Sequence, residues 1–402
     1  MSRDYDVIVV GGRLAGASTA MLLARAGARV ALVERARHGA DTVSTHGLMR
    51  AGVIQLSRWG LLDEVVGAGT PAIRRTLFHY TDGESVQVSI RPSAGVNALY
   101  APRRHLLDRI MVDAAAAAGT VVRHGTSVTE LLRDRSGRVR GVRAHDRSGT
   151  PLDLRARITV GADGVRSTVA ELAGSPFLQR GRSRSAMLYR YFEDAGATGY
   201  EWAYGVAGAA GFIPTNDGLT CVFVSATPDR LRTLRRLGTE QAFAELLAQS
   251  APRLAGRVTS ANPVGTMRGW AGIPGFVRHS WGPGWVLVGD AGYYKDPLTT
   301  HGMTDALRDA ELLADEILEL LTGAVPEAVA LARYQASRDR LSTSLFEATE
   351  RVASYEWDLD EVRVLLRRVS SAMSDEVDHL QSRPPRSVSG GPFVLPPQRT
   401  PA

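Results

Sequence analysis

Three stretches of this 402-residue chain predict an α/β fold. Asp6-Val-Ile-Val-Val10 is a continuous apolar run that leads through Gly11-Gly12 into a helical pattern, residues from about 185 to 280 carry short alternating apolar runs, and Trp285-Val-Leu-Val288 is a second continuous run ending at Gly289-Asp290. Continuous runs suit parallel strands covered on both faces, whereas alternation suits antiparallel strands. The expected architecture is a Rossmann-type unit with an inserted, mainly antiparallel β-sheet domain and C-terminal helices. The shifts in pattern assign residues 1–75, 101–184 and 281–322 to a discontinuous nucleotide-binding domain and 76–100 and 185–280 to a substrate-binding sheet domain. They leave 323–382 as a C-terminal helical region and 383–402 as a disordered tail.

The strand at 6–10 is followed by helical periodicity through Ala26, which Gly27 stops, and by a second strand, Arg29-Val-Ala-Leu-Val33, ending at Glu34. A strand–helix–strand unit of about 30 residues opens a Rossmann fold. Residues near 76–100 read as short strands with a turn at Asp82-Gly83, and 103–118 as a helix, because Leu107, Ile110, Met111 and Ala114 recur at helical spacing. Ile158-Thr-Val160 is a strand leading into Gly161-Ala-Asp163-Gly164. Leu219-Thr-Cys-Val-Phe-Val224 typifies the 185–280 sheet, which one helix near 238–250 interrupts, and Thr304 to Leu321 reads as a long helix. The Pro-, Gly- and Ser-rich sequence after about 383 lacks the apolar content to fold.

With 44% hydrophobic residues the chain can bury a large core without a partner. It has no run of about 20 apolar residues that would span a membrane, and the strand beginning at Asp4-Tyr-Asp leaves no room for a signal peptide. The expected location is therefore cytoplasmic, with no stable membrane association. The single cysteine, Cys221, excludes an internal disulfide, fits a reducing compartment and reads as a small buried hydrophobe on a strand. A net charge of +6 raises nucleic acid as a partner, but the arginines are scattered and form no basic block, so no nucleic acid is expected. Lys295 is the only lysine; it either supplies positive charge to the late glycine–aspartate segment or lies on the surface.

Two motifs carry chemistry. In the first turn, Gly11-Gly12-Arg13-Leu-Ala15-Gly16 matches Gly-x-Gly-x-x-Gly except that Arg13 replaces the second glycine, where backbone approaches a pyrophosphate closely. Arg13 could compensate by turning its guanidinium toward a phosphate, and Glu34 is placed to accept a hydrogen bond from an adenosine ribose. In the second motif, Gly289-Asp290-Ala-Gly-Tyr-Tyr-Lys-Asp-Pro297 followed by Thr300-His301-Gly302-Met303 offers a carboxylate for a ribityl hydroxyl, which points to flavin and not nicotinamide.

In order and spacing, Gly11–Gly16 with Glu34, Gly161-Ala-Asp163-Gly164-Val-Arg-Ser167, and Gly289-Asp290 through Ala310 resemble the FAD-dependent monooxygenases of the para-hydroxybenzoate hydroxylase class over roughly residues 5–320. The resemblance implies that the Rossmann-type unit is an FAD-binding domain, in which Gly11, Gly12, Arg13, Ala15 and Gly16 hold the ADP half and Asp163 helps bind the nucleotide. It implies that Asp290, after Gly289, binds the ribityl chain, that Pro297 lies beside the isoalloxazine, and that backbone amides around His301, Gly302 and Met303 face flavin N1 and O2. Fixed donors there stabilise the negative charge of reduced flavin. Arg50 and Arg104 match family positions that touch the FAD phosphates or ribityl chain. The implied reductant is NADPH or NADH, acting on this chain or through a partner flavin reductase. O2 then reacts at flavin C4a, and one oxygen passes to a small organic substrate, aromatic or polyketide-like.

The chain departs from that family at Tyr293, where a histidine is common, at Thr300, which replaces a glycine, and at His301, which replaces a frequent glutamine. His46, in Ser44-Thr45-His46, and His301 are the histidines next to the motifs. Each is a candidate acid or base with a pKa near neutrality, and each equally suits orienting the cofactor or packing. With Pro297 they form the candidate catalytic set, and no metal is expected. Tyr189, Tyr191, Trp202, Tyr204 and Phe212 are candidate substrate-pocket residues, with Trp202 and Tyr204 on one strand face, although a plain sheet core would use the same residues. Tyr200-Glu-Trp202-Ala-Tyr204-Gly205 is similar in part to the Tyr-x-Trp-x-Phe-Pro-x-Gly signature of geranylgeranyl-type flavin reductases, so reduction of a carbon–carbon double bond is the alternative reaction. A non-enzymatic flavoprotein is a third reading. Flavin halogenases carry a lysine remote from the FAD motifs and Trp-x-Trp-x-Ile-Pro, and neither is present.

Overall fold

The computed structural model describes residues 5–206 and 208–383; from 384 onward the expected tail lies outside the described residues. The chain opens with β1 (Tyr5–Val10), α1 (Leu14–Arg25) and β2 (Val30–Glu34). β1 pairs in parallel with β2, Val7 opposite Val30, and on its other edge with the strand Pro151–Gly161, Val7 opposite Ile158. Val121–His124 extends the sheet in parallel beyond β2, and Trp285–Leu287 extends it beyond Pro151–Gly161. Both faces of this sheet are covered, which is why its strands read as continuous apolar runs. Val7, Val9, Val30, Leu32, Ile158 and Val160 pack toward α1 and the helices Arg104–Ala117 and Gly302–Thr322. Ile8, Val10, Ala31 and Val33 pack on the opposite side with Leu131, Val142 and Leu154.

Those last three residues belong to an antiparallel meander, Ser127–Arg133, Val139–His145 and the first half of Pro151–Gly161. Sequence reading finds only the strand's end at 158–160, because Pro151-Leu-Asp-Leu-Arg-Ala-Arg157 alternates between exposed and covered positions while the end is buried on both faces.

A second, seven-stranded sheet runs in the order Asn262–Trp270, Ala186–Glu193, Thr220–Ala226, Gly208–Pro214, Tyr200–Gly205, Arg75–Tyr80, Ser85–Ser89. Every pairing is antiparallel except that of Tyr200–Gly205 with Arg75–Tyr80. One face, with Leu188, Phe192, Val222 and Val224, is covered by helices between 228 and 259. The other face, with Tyr189, Tyr191, Trp202, Tyr204, Cys221 and Phe223, meets the C-terminal helices Glu327–Ser354 and Leu359–Ser382. Cys221 is buried in its strand, as its sequence context suggests. Among the described residues, no helix is long and apolar enough to cross a membrane.

Trp357, in the link between the last two helices, shows how that second face is sealed. It is 5% exposed, donates its indole N–H to the Val352 carbonyl at 2.9 Å, and meets Tyr204 and Tyr355 with ring centroids 6.3 and 5.9 Å apart. Trp357→Ala should therefore destabilise the protein by about 3–5 kcal/mol, the cost of emptying a large aromatic site, read as a lower urea midpoint at unchanged slope.

Candidate functional site

The first turn is built by backbone contact. Gly11 has φ +105°, and a Cβ there would overlap the Ala162 carbonyl; a Cβ at Gly12 would lie 2.9 Å from Glu34 Cβ. Glu34 is buried, and its carboxylate accepts from the Gly12 and Ala36 amides, both at 2.6 Å, so it locks the turn onto the end of β2. A small groove, open to solvent, lies beside it, lined by Gly12, Arg13, Glu34, His38, Asp108 and His124 among others. It lies at the N-terminus of α1, where free amides and the helix dipole favour an anion. Asp163 accepts from Ser167 Oγ at 2.5 Å and the Val169 amide at 3.1 Å, organising the turn against which Gly11 packs; burial pushes its pKa up.

Arg13 does not point freely outward as its place in the motif suggests. Its guanidinium pairs with Asp108 at 2.9 Å and donates to the carbonyls of Ala40 and Asp41. Arg104 grips the same carboxylate one helical turn earlier at 3.0 Å, so Asp108 carries two cations at the groove's edge. The Arg104…Asp108 spacing is an i,i+4 pair legible in sequence, whereas the union with Arg13 is not. Arg50, at the first position of helix Arg50–Arg58, donates to the Arg91 carbonyl at 2.6 Å.

The late motif abuts the early one. Gly289 has φ +60°, and a Cβ on it would come within 2.9 Å of Ala15 Cβ, so the Gly289-Asp290 turn rests directly on α1. Asp290 keeps some solvent access, yet desolvation raises its pKa to about 6 against the pull of Lys295. Asp296 accepts from the Leu298 amide and from the amide and hydroxyl of Ser185, which ties the turn beginning at Pro297 to the second sheet. Thr300 follows with φ +53°, a left-handed residue where the family has glycine, and the helix Gly302–Thr322 starts at once. Gly302 is exposed and a Cβ on it would meet nothing within 4 Å, so the first residue of this helix borders open space. That opening, the glycine turn on α1 and the carboxylate of Asp290 between them fit the isoalloxazine, pyrophosphate and ribityl parts of one FAD.

His301 turns away from that opening. Its Nε2 pairs with Glu376 of the last helix at 2.5 Å, both side chains being buried. An acid–base role for His301 at the flavin gives way to a buried polar one. Arg308, two turns further, pairs with Asp305 at 2.9 Å and Asp309 at 2.7 Å, reaches Glu376 at 3.5 Å and donates to Ser342 Oγ at 2.8 Å. Lys295 is neither a surface residue nor free, since it is buried and ion-paired with Asp305. Burial and Arg308 push its ammonium down to about 7. His301, Asp305 and Glu376 approach one another closely enough to suit a metal ion, but Lys295 and Arg308 already neutralise those carboxylates.

The sheet residues divide. Phe212 does not share a face with the other four candidates: Trp202 sits opposite Gly211, which places Phe212 opposite Glu201 on the other side of the sheet, under Arg257. Trp202 and Tyr204 do share a face, but Trp202 packs on Phe223, and Tyr204 on Tyr80 and Trp357. Tyr189 and Tyr191 form the polar part of this wall with His46. His46 is fully buried with φ +67°, lies 2.5 Å from the Tyr191 hydroxyl, and its Nδ1 makes no hydrogen bond among the described residues. Desolvation, then Arg104, push its imidazole down to about 3, so His46 is a neutral ring and not a base near neutrality. Arg103 stacks 4.4 Å over the Tyr191 ring, and Arg268 pairs with Asp41 at 2.9 Å. Sequence reading misses Arg103, Arg268 and Asp41, because scattered arginines carry no local pattern.

The fold and these motifs define a flavin-dependent oxidoreductase. The chain belongs to the FAD binding domain family, whose model matches residues 4–349. It is 28% identical over 354 residues to digeranylgeranylglycerophospholipid reductase 2 of Methanopyrus kandleri, covering 83% of this chain and 81% of that protein. It is 36% identical over 182 residues to 6-methylpretetramide 4-monooxygenase of Streptomyces rimosus, covering 43% and 41% respectively. The solved structure of PqsL from Pseudomonas aeruginosa shares the fold with a TM-score of 0.76 at 24% identity, covering 92% of this chain and 100% of that one.

Measured on FAD-free protein, Gly302→Val should leave the thermal midpoint unchanged, because a Cβ at this exposed position meets no protein atom within 4 Å, yet the variant should fail to retain yellow FAD through gel filtration. A variant that keeps its flavin would remove the helix start from the site. For His46, the unfolded chain binds a proton below about 6.5 that the folded protein refuses until about 3. Stability contributed here is therefore full above pH 6.5 and lost as pH falls toward 3. Asn tolerates the left-handed backbone and does not titrate, so the stability difference between wild type and His46→Asn should shift toward the variant from pH 7 to 4 in urea titrations.

Proposed function

We propose that this protein is an FAD-dependent monooxygenase acting on a compact organic substrate, aromatic or polyketide-like. The observation that carries the reading is the polar character of the wall formed by His46, Tyr189 and Tyr191 with Arg103 and Arg268 beside it. Tyr191 is paired with His46 and Tyr189 with the Ser44 amide, but the buried His46 Nδ1 has no partner among the described residues, so it favours a ligand bearing a polar group over a long saturated chain that would leave it unpaired. FAD, reduced by NADPH or NADH directly or through a partner flavin reductase, supplies activation of O2 and transfer of one oxygen atom.

In this reading Gly11, Gly12, Ala15 and Gly16 present the N-terminus of α1 to the pyrophosphate, Glu34 borders the ribose, and Arg104 holds the groove edge through Asp108. Asp290 holds the ribityl hydroxyls, and the Gly302 and Met303 amides face the pyrimidine edge beside Pro297. His46 stays neutral, and its free Nδ1 is placed as a hydrogen-bonding group for substrate while Tyr191 fixes the ring. Packing of the second sheet against the C-terminal helices keeps water from the wall.

A second reading, reduction of a carbon–carbon double bond, is favoured by the identity to the Methanopyrus reductase over most of both chains. In the segment Tyr200–Gly205, which matches the reductase signature in part, Tyr200 donates to the Tyr100 carbonyl at 2.6 Å and Trp202 is core.

With phenolic or polyketide substrates, NAD(P)H oxidation is expected to consume oxygen and give a product heavier by one oxygen atom, labelled when 18-oxygen gas is supplied. A product heavier by two hydrogens, formed equally well without air, would select the reductase instead.

A further inference from the structure

The family model ends at residue 349, yet the helix Leu359–Ser382 beyond it sends one carboxylate into the structure beneath the start of the Gly302–Thr322 helix. Glu376 is 2% exposed, reaches His301 Nε2 at 2.5 Å and lies 3.5 Å from Arg308. His301 is the residue immediately before Gly302, the exposed first residue of the helix, where a Cβ would meet nothing within 4 Å. No intrahelical bond fixes the direction of the first amides of a helix, so what holds the residue before them sets where they point. Three carboxylates, Glu376, Asp305 and Asp309, are buried here with Arg308 and Lys295, and Ser342 from helix Glu327–Ser354 joins through Arg308. Arg308 and Lys295 pair with Asp305, and Arg308 with Asp309; Asp305 also lies 3.9 Å from His301 Nε2, but the hydrogen-bonding contact to that ring, at 2.5 Å, comes from Glu376.

We propose that Glu376 is a positioning residue for the cofactor: through His301 it fixes the Gly302 and Met303 amides in the direction that flavin binding requires, and its charge contributes to the flavin potential. The inference rests on the placement of the isoalloxazine edge at these amides. His301 contributes its ring as the link, and the chemistry at the flavin stays with the backbone. The last helix is thereby part of the cofactor site although it lies outside the FAD-binding unit in sequence.

The test uses the full chain loaded with FAD. Glu376→Leu should weaken FAD binding about tenfold, equivalent to about 1.4 kcal/mol and of the size of one charge-assisted hydrogen bond. His301→Leu should do the same, and the double variant should lose no more than either single one, since both break one link. Glu376→Gln keeps an acceptor for the His301 N–H while removing the charge. It should bind FAD as wild type does, with its midpoint potential shifted positive because a negative charge near the reduced flavin is gone. Wild-type FAD affinity in Glu376→Leu, or additive losses in the double variant, would overturn the proposal. An unchanged potential in Glu376→Gln would do so even where the leucine variants fail to fold. If Gly302→Val retains flavin, the placement of the cofactor has failed; if it loses flavin while the Glu376 variants behave as wild type, only the positioning role has.

Discussion

Glycine-only contact between three turns holds this molecule's parts in register. Gly11 lies against Ala162, Gly12 against Glu34, and Gly289 against Ala15, each at a distance where a Cβ would collide with a neighbour. Two of the three also require a left-handed backbone, φ +105° at Gly11 and +60° at Gly289. Residues near 11, 162 and 289 are far apart in sequence, but parallel pairing of β1 with Pro151–Gly161, and of that strand with Trp285–Leu287, delivers all three turns to one end of the sheet. Ligands of open α/β sheets bind at this end. A side chain at any of these glycines would push the turns apart and open the floor on which a dinucleotide lies.

The second constraint is electrostatic. Burying Asp305, Asp309 and Glu376 would be prohibitive without cations, and Arg308 and Lys295 meet that need. Such a cluster contributes little net stability compared with apolar packing, but it specifies one arrangement of the late loop, the Gly302–Thr322 helix and both C-terminal helices. Breaking one member would strand its partner's charge. The same economy appears at Asp108, which two arginines share, and at Glu34, whose oxygens are both taken up by amides.

Much of the fold was legible because burial on two faces leaves continuous apolar runs and burial on one leaves alternation. β1, β2, the helix at 104–117 and the long helix at 302–322 follow those patterns within a residue or two. The glycine motifs were legible because only glycine tolerates their geometry. What escaped the sequence depends on partners far away along the chain. Nothing local announces that Arg13 would meet Asp108, that Lys295 would be buried against Asp305, or that Glu376 would reach His301 across 75 residues. Phe212 was misplaced for a narrower reason. Period-two alternation orders residues within a strand, but only the register, Trp202 opposite Gly211, sets which face of a neighbouring strand they join.

His46 draws these constraints together. The segment carrying it packs against the flavin-motif loop, since a Cβ on Gly47 would overlap the Thr300 side chain, and the Met49 amide donates to Thr304 Oγ1 at 3.1 Å. A left-handed backbone at a non-glycine residue persists only where its surroundings over-determine it, and here the Ser44 hydroxyl, the Tyr191 phenol and the Thr300 contact do so. The outcome is a fully buried imidazole whose Nδ1 has no hydrogen-bond partner among the described residues, between the tyrosine-bearing face of the second sheet and the loop that borders the helix start. A ring so placed cannot gain a proton cheaply, but it can offer a hydrogen bond at fixed direction. That is the contribution expected of a group that orients a substrate and leaves the redox chemistry to the cofactor.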